Sequence, residues 1–305
     1  MKQLFLFVSI FLSLSACHNR SWDKPEQVLV ADTIITELSD GSVFSHSMTK
    51  LRCDSEGLYF ADYMTHNLVV LDTLLYFKEC LGQYGQGPEE LIGLLDFHKK
   101  DSVFYILDDG NRALIAYSSG NKYVKKIKLP TSIPFSITQR FAFKNSLFYM
   151  STGADNSIVA FNENGDVVTR FGGGEGNENV GGSDILLDNS VIWQVNAVAP
   201  IIKAYSPNGS LLTECDYSKI PFVDAMYDRD FPNTPTYFKS IVRDACMDGN
   251  RLYVLIADRI LYFSLEEDII LNRIYRLPPD FHSSIATRNN VAYCIGNKGI
   301  ARFKL

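Results

Sequence analysis

The sequence predicts an all-β fold, a six-bladed β-propeller whose blades are four-stranded antiparallel sheets. Six pairs of residues recur along the chain and each ends in an aromatic side chain: Leu58-Tyr59, Phe104-Tyr105, Phe148-Tyr149, Ile192-Trp193, Leu252-Tyr253 and Ala292-Tyr293. The six aromatic residues are 46, 44, 44, 60 and 40 positions apart. A second apolar anchor follows each of them after 12 or 10 residues. Repeats of about 40–50 residues with several short strands are typical of propeller blades.

The first repeat shows the strands of a blade most clearly. We expect strands at residues 50–54, 58–62, 67–72 and 75–81, with Gly, Asn, Asp and Ser in the segments between them. Short strands divided by such turn formers are typical of antiparallel meanders. Each of the six repeats is therefore predicted to form one blade.

The two ends of the chain are predicted to close the ring together. The sixth repeat has room for three strands, near residues 283–287, 290–295 and 300–305, and the chain then ends. Residues 28–38 alternate in polarity and have no repeat of their own. They should supply the missing outer strand of blade six, because closure of the ring removes open sheet edges.

The N-terminus predicts export and a lipid anchor. Lys2 and the apolar run 4–14 have the form of a signal peptide, and Leu14-Ser15-Ala16-Cys17 matches the bacterial lipobox. We assign 1–16 to the signal peptide, 17–27 to a lipid-anchored tether and 28–305 to the propeller. Lipid on Cys17 would be the only membrane attachment, since no later segment approaches the ~20 apolar residues of a membrane helix. The expected location is the cell envelope, at the outer membrane, with the periplasmic and surface faces both open.

Charge and cysteine content exclude two other classes of site. The formal net charge is −6, and no basic stripe is present that could replace phosphate counterions, so a nucleic acid partner is not expected. Beyond Cys17 there are five cysteines, none in a CxxC motif or a Cys/His cluster, so zinc is not expected either. Their odd number leaves at least one cysteine unpaired.

The first repeat resembles an NHL repeat. The segments DSEGLYFAD (54–62) and NLVVLD (67–72) carry the resemblance, and GQYGQGPEEL (82–91) is similar to the Gly-rich stretch that closes such a repeat. Together with the lipobox, the chain resembles the TolB-like six-bladed propeller lipoproteins common in Bacteroidota. The resemblance covers residues 28–305 and is closest in the first repeat. It implies the fold and an envelope location.

Polar residues near the loops between second and third strands form a candidate metal site. All these loops lie on one face of the ring, and Ca²⁺ prefers six to eight oxygen ligands. The candidate ligands are Asp62, Asp108, Asp109, Asn156, Asn196 and Asp258. The alternative is that these side chains cap their own turns. No cofactor is expected, with Ca²⁺ as the one open alternative.

A candidate partner-binding loop lies between the fourth and fifth repeats. The 60-residue gap leaves roughly 15 extra residues, which fit best within 218–239. Aromatic and charged side chains of this kind are typical of interaction hot spots. The candidates are Phe222, Tyr227, Asp228, Arg229, Asp230, Phe231, Tyr237 and Phe238. The alternative is a lid that buries its own aromatic residues over the channel.

Three functions are compatible with these features, and the third of them is a purely structural envelope protein. The favoured hypothesis is a non-catalytic binding module of the cell envelope, with a protein, a peptide or a glycan as its partner. The alternative is a divalent-metal-dependent hydrolase or lyase, similar to the calcium-dependent lactonases of this fold, with its site at the channel mouth. The sequence assigns no catalytic residue.

Overall fold

The computed structural model describes residues 22–41, 48–133, 140–152, 157–173, 182–188, 190–230, 240–266 and 268–305, with only the backbone of 227–230. It is an all-β propeller of six antiparallel sheets arranged in chain order, as predicted. Two short strands, β1 (Glu26–Val28) and β2 (Ala31–Ile35), precede the first blade. The order of the sheets along the chain therefore sets the order of the blades around the ring.

Each blade contributes four consecutive strands, except the last. Blade one contains β3 (Met48–Cys53), β4 (Leu58–Asp62), β5 (Asn67–Leu71) and β6 (Phe77–Leu81). Blade two contains β7 (Asp96–Lys100), β8 (Val103–Asp108), β9 (Ala113–Ser118) and β10 (Lys122–Lys128). Blade three contains β11 (Phe141–Lys144), β12 (Leu147–Ser151), β13 (Ser157–Asn162) and β14 (Val167–Gly172).

The second half of the ring follows the same plan. Blade four contains β15 (Ser183–Leu187), β16 (Ile192–Asn196), β17 (Ile201–Tyr205) and β18 (Leu211–Asp216). Helix α1 (Pro221–Asp230) follows, and blade five then contains β19 (Val242–Asp248), β20 (Arg251–Ile256), β21 (Arg259–Leu265) and β22 (Ile269–Arg276). Blade six contains β23 (Ser284–Arg288), β24 (Val291–Gly296) and β25 (Gly299–Lys304).

The repeated aromatic residues lie on the second strand of every blade. The residue before each aromatic pairs with the second anchor on the third strand, as Phe148 does with Phe161. Their rings stack with centroids 5.4 Å apart. All five residues of β4 are buried, because successive side chains of a strand point to opposite faces and both faces of a blade are covered. This explains why the central strands lack polar alternation.

The N-terminal strand closes the ring as predicted. β2 pairs antiparallel with β25 and forms the outer strand of blade six, with Ala31 opposite Phe303 and Ile35 opposite Ile300. β1 was not predicted: it pairs in parallel with β22, so blade five has a fifth strand. The chain therefore contacts the ring inside the segment 17–27 that the sequence assigns to a tether.

The insertion between blades four and five begins with a helix, where a loop was expected. Pro221 occupies the first helical position and Asp224 lies in the first turn, and both residues favour a helix N-terminus. Val223 is buried among side chains of blades four and five, while Pro221, Asp224 and Ala225 are exposed. With so few buried residues the segment carries little helical periodicity. Within the described residues, no helix has the length and apolar character needed to cross a membrane.

Candidate functional site in the central channel

A ring of polar side chains surrounds the channel axis at one level. Its members each lie nine positions before a repeated aromatic residue: Lys50, Asp96, Arg140, Asp184, Asp244 and Ser284. This spacing places them on or beside the innermost strand of each blade, as the pairing of Asp184 with Val195 illustrates. The ring was not predicted. The signal in the sequence is the constant position, not the residue type, which changes from blade to blade.

Lys50 joins three blades through this ring. Its Nζ donates a hydrogen bond of 2.8 Å to Asp184 Oδ1 and another to Asp244 Oδ1. Only 4% of Lys50 is exposed, and burial alone would lower its pKa, but the two carboxylates raise that pKa above its usual value. Burial and repulsion by Asp244 raise the pKa of Asp184 despite the attraction of Lys50. The ammonium group is thus held as a buried cation.

The buried Asp96 and the half-buried Arg52 form a second ion pair. Arg52 Nη2 lies 2.9 Å from Asp96 Oδ1, and its Nε donates to the carbonyl oxygen of Phe97 at 2.6 Å. Burial opposes ionisation of Asp96, but Arg52 and then Lys50 outweigh it and hold the pKa of this carboxyl below its usual value. The charge of Arg140 acts in the same direction on Asp96 and attracts Asp184 as well. Three cations and three carboxylates therefore balance at this level.

The polar side chains of this ring also form hydrogen bonds between neighbouring blades. Asp96 Oδ2 accepts from the backbone N–H of Phe141 in blade three at 3.1 Å. Asp244 Oδ2 accepts from the N–H of Ile285 in blade six at 3.0 Å. The hydroxyl oxygen of Ser284 accepts from the N–H of Leu51 in blade one at 2.9 Å. Because these bonds cross between sheets, the ring holds the inner strands in place around the axis.

Next to this ring lies a cavity of about 420 Å³ to which all six blades contribute. The residues at its mouth come from the ends of the inner strands: Cys53, Lys99, Lys144, Leu187, Met247 and Thr287. It therefore opens on the face that carries the turns between first and second strands. Leu51, Phe97 and Ile185 line its inner part, each one residue beyond a member of the ring. The ring thus lies one residue deeper along the inner strands than these lining residues.

The titratable groups of the cavity wall are held by internal contacts. Lys99 Nζ donates to Asp54 Oδ2 at 2.8 Å and to the Tyr59 hydroxyl at 2.7 Å, and the Tyr59 O–H donates to Asp54 Oδ1. Burial, with the charge of Arg52, lowers the pKa of His98 to about 3. Burial raises the pKa of the Cys53 thiol to about 12. At neutral pH this imidazole is uncharged and this thiol is protonated.

None of the five described cysteines forms a disulfide. Cys53 and Cys246 line the cavity, and Cys80, Cys215 and Cys294 lie in the sheets. Burial raises the pKa of Cys246 and Cys294 as well. The thiols behave as buried apolar groups.

Three of the candidate metal ligands bind their own turns and nearby backbone. Asp62 Oδ1 accepts from the N–H groups of Met64 and Thr65, at 3.0 and 3.3 Å. Asn196 Oδ1 accepts from two backbone N–H groups that follow it, at 2.8 and 2.9 Å. Asp108 accepts from the N–H groups of Ile92 and Asn111, at 3.0 and 2.9 Å. These contacts are those of turn-capping side chains.

The remaining candidate ligands are dispersed. Asp258 pairs with Arg259 at 2.6 Å, and Asp109 lies against the backbone of Gly93. Asn156 lies outside the described residues. In the part of the chain that the structure describes, no three His, Cys, Asp or Glu side chains are grouped so that they could hold a metal ion. Calcium binding stays a prediction.

The insertion supplies one described aromatic candidate, Phe222. This ring is half-buried against the core between blades four and five, and the Arg259 guanidinium lies 4.8 Å from its centroid. The Phe222 side chain thus packs against the propeller between blades four and five. The candidates Tyr227, Asp228, Arg229 and Asp230 belong to α1 with only their backbone described, and Phe231, Tyr237 and Phe238 lie outside the described residues.

Comparisons with known proteins agree with this architecture. A family model described as "6-bladed beta-propeller" (DUF5128) matches residues 42–177. No curated protein matches the sequence. The fold and this match define a six-bladed β-propeller protein. The narrower TolB-like or NHL-type assignment stays a prediction.

Three solved structures are similar to the chain in fold. A protein described as exported, from Bacteroides fragilis NCTC 9343, has a TM-score of 0.61 at 11% identity, covering 92% of this chain and 96% of that one. The Myceliophteria thermophila Cps50 (Swd1) β-propeller domain has a TM-score of 0.60 at 8% identity, with coverages of 91% and 99%. A streptogramin B lyase has a TM-score of 0.55 at 12% identity, with coverages of 88% and 86%. At these identities the likeness extends to the fold alone.

Proposed function

We propose that this protein is a lipid-anchored binding module of the cell envelope that takes its ligand into the channel cavity. The observation that carries the proposal is the cavity itself, about 420 Å³ in volume, lined by all six blades and next to a ring of buried ion pairs. Concave sites on rigid scaffolds of this size suit recognition of a small ligand or of a segment of a larger one. The expected partner is a protein, a peptide or a glycan.

The chemistry of the wall favours binding over catalysis. A general base should have a pKa near the working pH, whereas His98 has a pKa of about 3. A nucleophilic cysteine needs a lowered pKa, whereas burial raises the pKa of both Cys53 and Cys246. Asp188 accepts from the indole N–H of Trp193 at 2.9 Å. These pKa values and contacts suit side chains that form the wall of a binding site, and they do not suit side chains that take part in a reaction.

The wall offers a ligand both apolar surface and a cation. Phe143, Leu187 and Met247 supply the apolar part, and the half-buried Lys144 lies on the strand that carries Phe143. This combination suits a ligand that pairs an apolar or sugar-ring face with hydrogen-bond acceptors. Attachment through lipid on Cys17 would keep the site at the envelope, at the outer membrane in this proposal.

A binding survey with matched variants tests the proposal. The detergent-solubilised full chain is screened by thermal shift against defined peptides and oligosaccharides, and calorimetry then measures each hit. We expect Lys144→Glu and Met247→Trp, which change the cavity, to weaken binding at least about tenfold. Asp62→Asn, on the opposite face, should leave affinity unchanged. Hits that are indifferent to the cavity variants, or that depend on Ca²⁺ and on Asp62, would contradict the proposal.

A further inference from the structure

The first described residues of the chain are attached to the outer rim of blade five. Trp22 is half-buried against the core between blades four and five. β1 then pairs in parallel with β22, with Glu26 opposite Ile274 and Val28 opposite Arg276. The N–H of Leu29 donates to the carbonyl oxygen of Arg276 at 2.9 Å. The chain thus reaches the ring at its circumference, beyond the outer strand of a blade.

Side chains fix this attachment. Arg259 Nε donates to Glu26 Oε1 at 2.7 Å, and Arg273 Nη1 donates to Gln27 Oε1 at 3.0 Å. Leu29 is buried in the core between blades five and six. The next strand, β2, completes blade six. From Trp22 to β2, the chain is therefore held to two adjacent blades.

The chain between the lipobox cysteine and this attachment is short. Cys17 precedes Trp22 by five positions. Even when fully extended, five residues span about 18 Å at most. Lipid on Cys17 would consequently hold the rim of blades five and six within about that distance of the bilayer surface.

The same rim carries exposed apolar side chains. Val28 and Val30 are 68% and 81% exposed, and Ile34 and Ile270 are also exposed at this edge. Arg276, which lies opposite Val28, is half-exposed and pairs with Asp258 at 3.5 Å. Apolar side chains flanked by arginine are compatible with the boundary between lipid headgroups and acyl chains.

From these relations we infer that the propeller stands edge-on at the membrane, with the rim of blades five and six against the bilayer. The partner of this surface is the lipid headgroup region. Both ends of the channel then open parallel to the membrane, and blades two and three lie farthest from it. The inference rests on the proposed lipid attachment at Cys17 and adds the orientation.

Energy transfer from tryptophan to a dansyl-labelled lipid tests the orientation. The full-length lipoprotein is reconstituted into phosphatidylcholine and phosphatidylglycerol vesicles after Trp22→Phe and Trp193→Phe, which remove the two native tryptophans. One probe is Ile270→Trp on blade five, and the matched probe is Val124→Trp on blade two, with 40% and 45% of the native side chain exposed. We expect at least twofold more transfer from the blade-five probe. Equal transfer, or more from blade two, would overturn the inference.

A longer tether provides the control for the length argument. A ten-residue Gly/Ser insertion after Arg20 should abolish the difference between the two probes, since it adds about 35 Å of reach. A difference of unchanged size after the insertion would contradict the argument from tether length. Loss of the difference supports the short tether as its cause.

A measurement on the unchanged chain guards against misfolded variants. Acetylation of lysines, followed by mass spectrometry, compares Lys304 on blade six with Lys122 on blade two, both exposed. In vesicles, relative to detergent, we expect slower labelling of Lys304 and unchanged labelling of Lys122. Equal slowing of both overturns the inference. Failure of the wild-type chain to float with vesicles, compared with Cys17→Ser, would instead refute lipid attachment and the orientation with it.

Discussion

The Lys50 ammonium group donates a hydrogen bond of 2.8 Å to Asp184 across the channel, although the two residues lie 134 positions apart in the chain. The same ammonium also binds Asp244, so one cation holds carboxylates from two other blades. Burying an ion pair costs free energy, but removing one partner costs more, because the other charge is then buried without a counter-charge. The inner ring is therefore the part of the molecule most sensitive to loss of a charge.

Replacement of Lys50 by methionine should destabilise the fold by about 3–5 kcal/mol, because two buried carboxylates lose their cation. Urea unfolding followed by tryptophan fluorescence measures the change. The matched control is Lys78→Met on the exposed side of β6, for which we expect at most about 0.5 kcal/mol. A loss below about 1 kcal/mol in Lys50→Met would show that the ring contributes little to stability.

Stability should fall as the pH decreases below about 6.5, partly because of His98. In the folded state the pKa of His98 is lowered to about 3, so between these two values the unfolded chain binds a proton that the folded chain does not. The contribution is fully present above pH 6.5 and is lost towards pH 3. Free energies of unfolding at several pH values should decline less steeply in His98→Gln. Parallel curves for the two proteins would contradict this prediction.

Two substitutions at Asp62 distinguish turn capping from calcium binding. Asn can accept the same hydrogen bonds from Met64 and Thr65, so Asp62→Asn should leave the Tm nearly unchanged, whereas Asp62→Ala should cost about 1 kcal/mol. Neither effect should depend on Ca²⁺ or on a chelator. A Tm that rises with Ca²⁺ in the wild type, and no longer does so in Asp62→Asn, would favour the metal-dependent alternative.

Closure of the ring by β2 can be tested with proline. Thr33 pairs with Arg302 inside β2, and Thr33→Pro should destabilise the protein by about 3 kcal/mol or more, because the ring of proline disrupts strand pairing. Val30→Pro, in the connection between β1 and β2, is the control and should have a small effect. Calorimetric melting of both variants gives the comparison. Equal Tm values would mean that β2 adds little to closure.

The fold could be predicted because its signal repeats. Tyr59 and its five equivalents mark the second strand of every blade, and the count of strands in the last repeat led to the closing role of β2. β1 escaped prediction because three exposed residues carry no periodicity. Helix α1 escaped because few of its side chains are buried. Tertiary packing, not local propensity, decides both elements.

The candidate site was harder to predict, because polar groups cluster in space without clustering in sequence. Asp96 and Asp184 occupy equivalent positions in their blades, yet Lys50 and Ser284 fill the same position elsewhere, so no residue type repeats. The sequence prediction placed the candidate metal site at the loops near Asp62, and these loops lie on the opposite face of the propeller from the cavity. Whether one end of the channel is open or closed depends on the lengths and positions of the side chains around it, and a linear sequence pattern does not record those positions.

Closure through β2 and β25 also has a consequence for biogenesis. β2, the outermost strand of blade six, is synthesised before the strands of blades one to five and its partner β25 after them, so this joint forms only once residues 31–304 are available. Contacts this distant in sequence slow folding. Until they form, the unpaired edges of β2 and β25 are free to pair with other chains. A prematurely terminated chain would lack the pairing of β2 with β25, so only an intact chain can close the propeller.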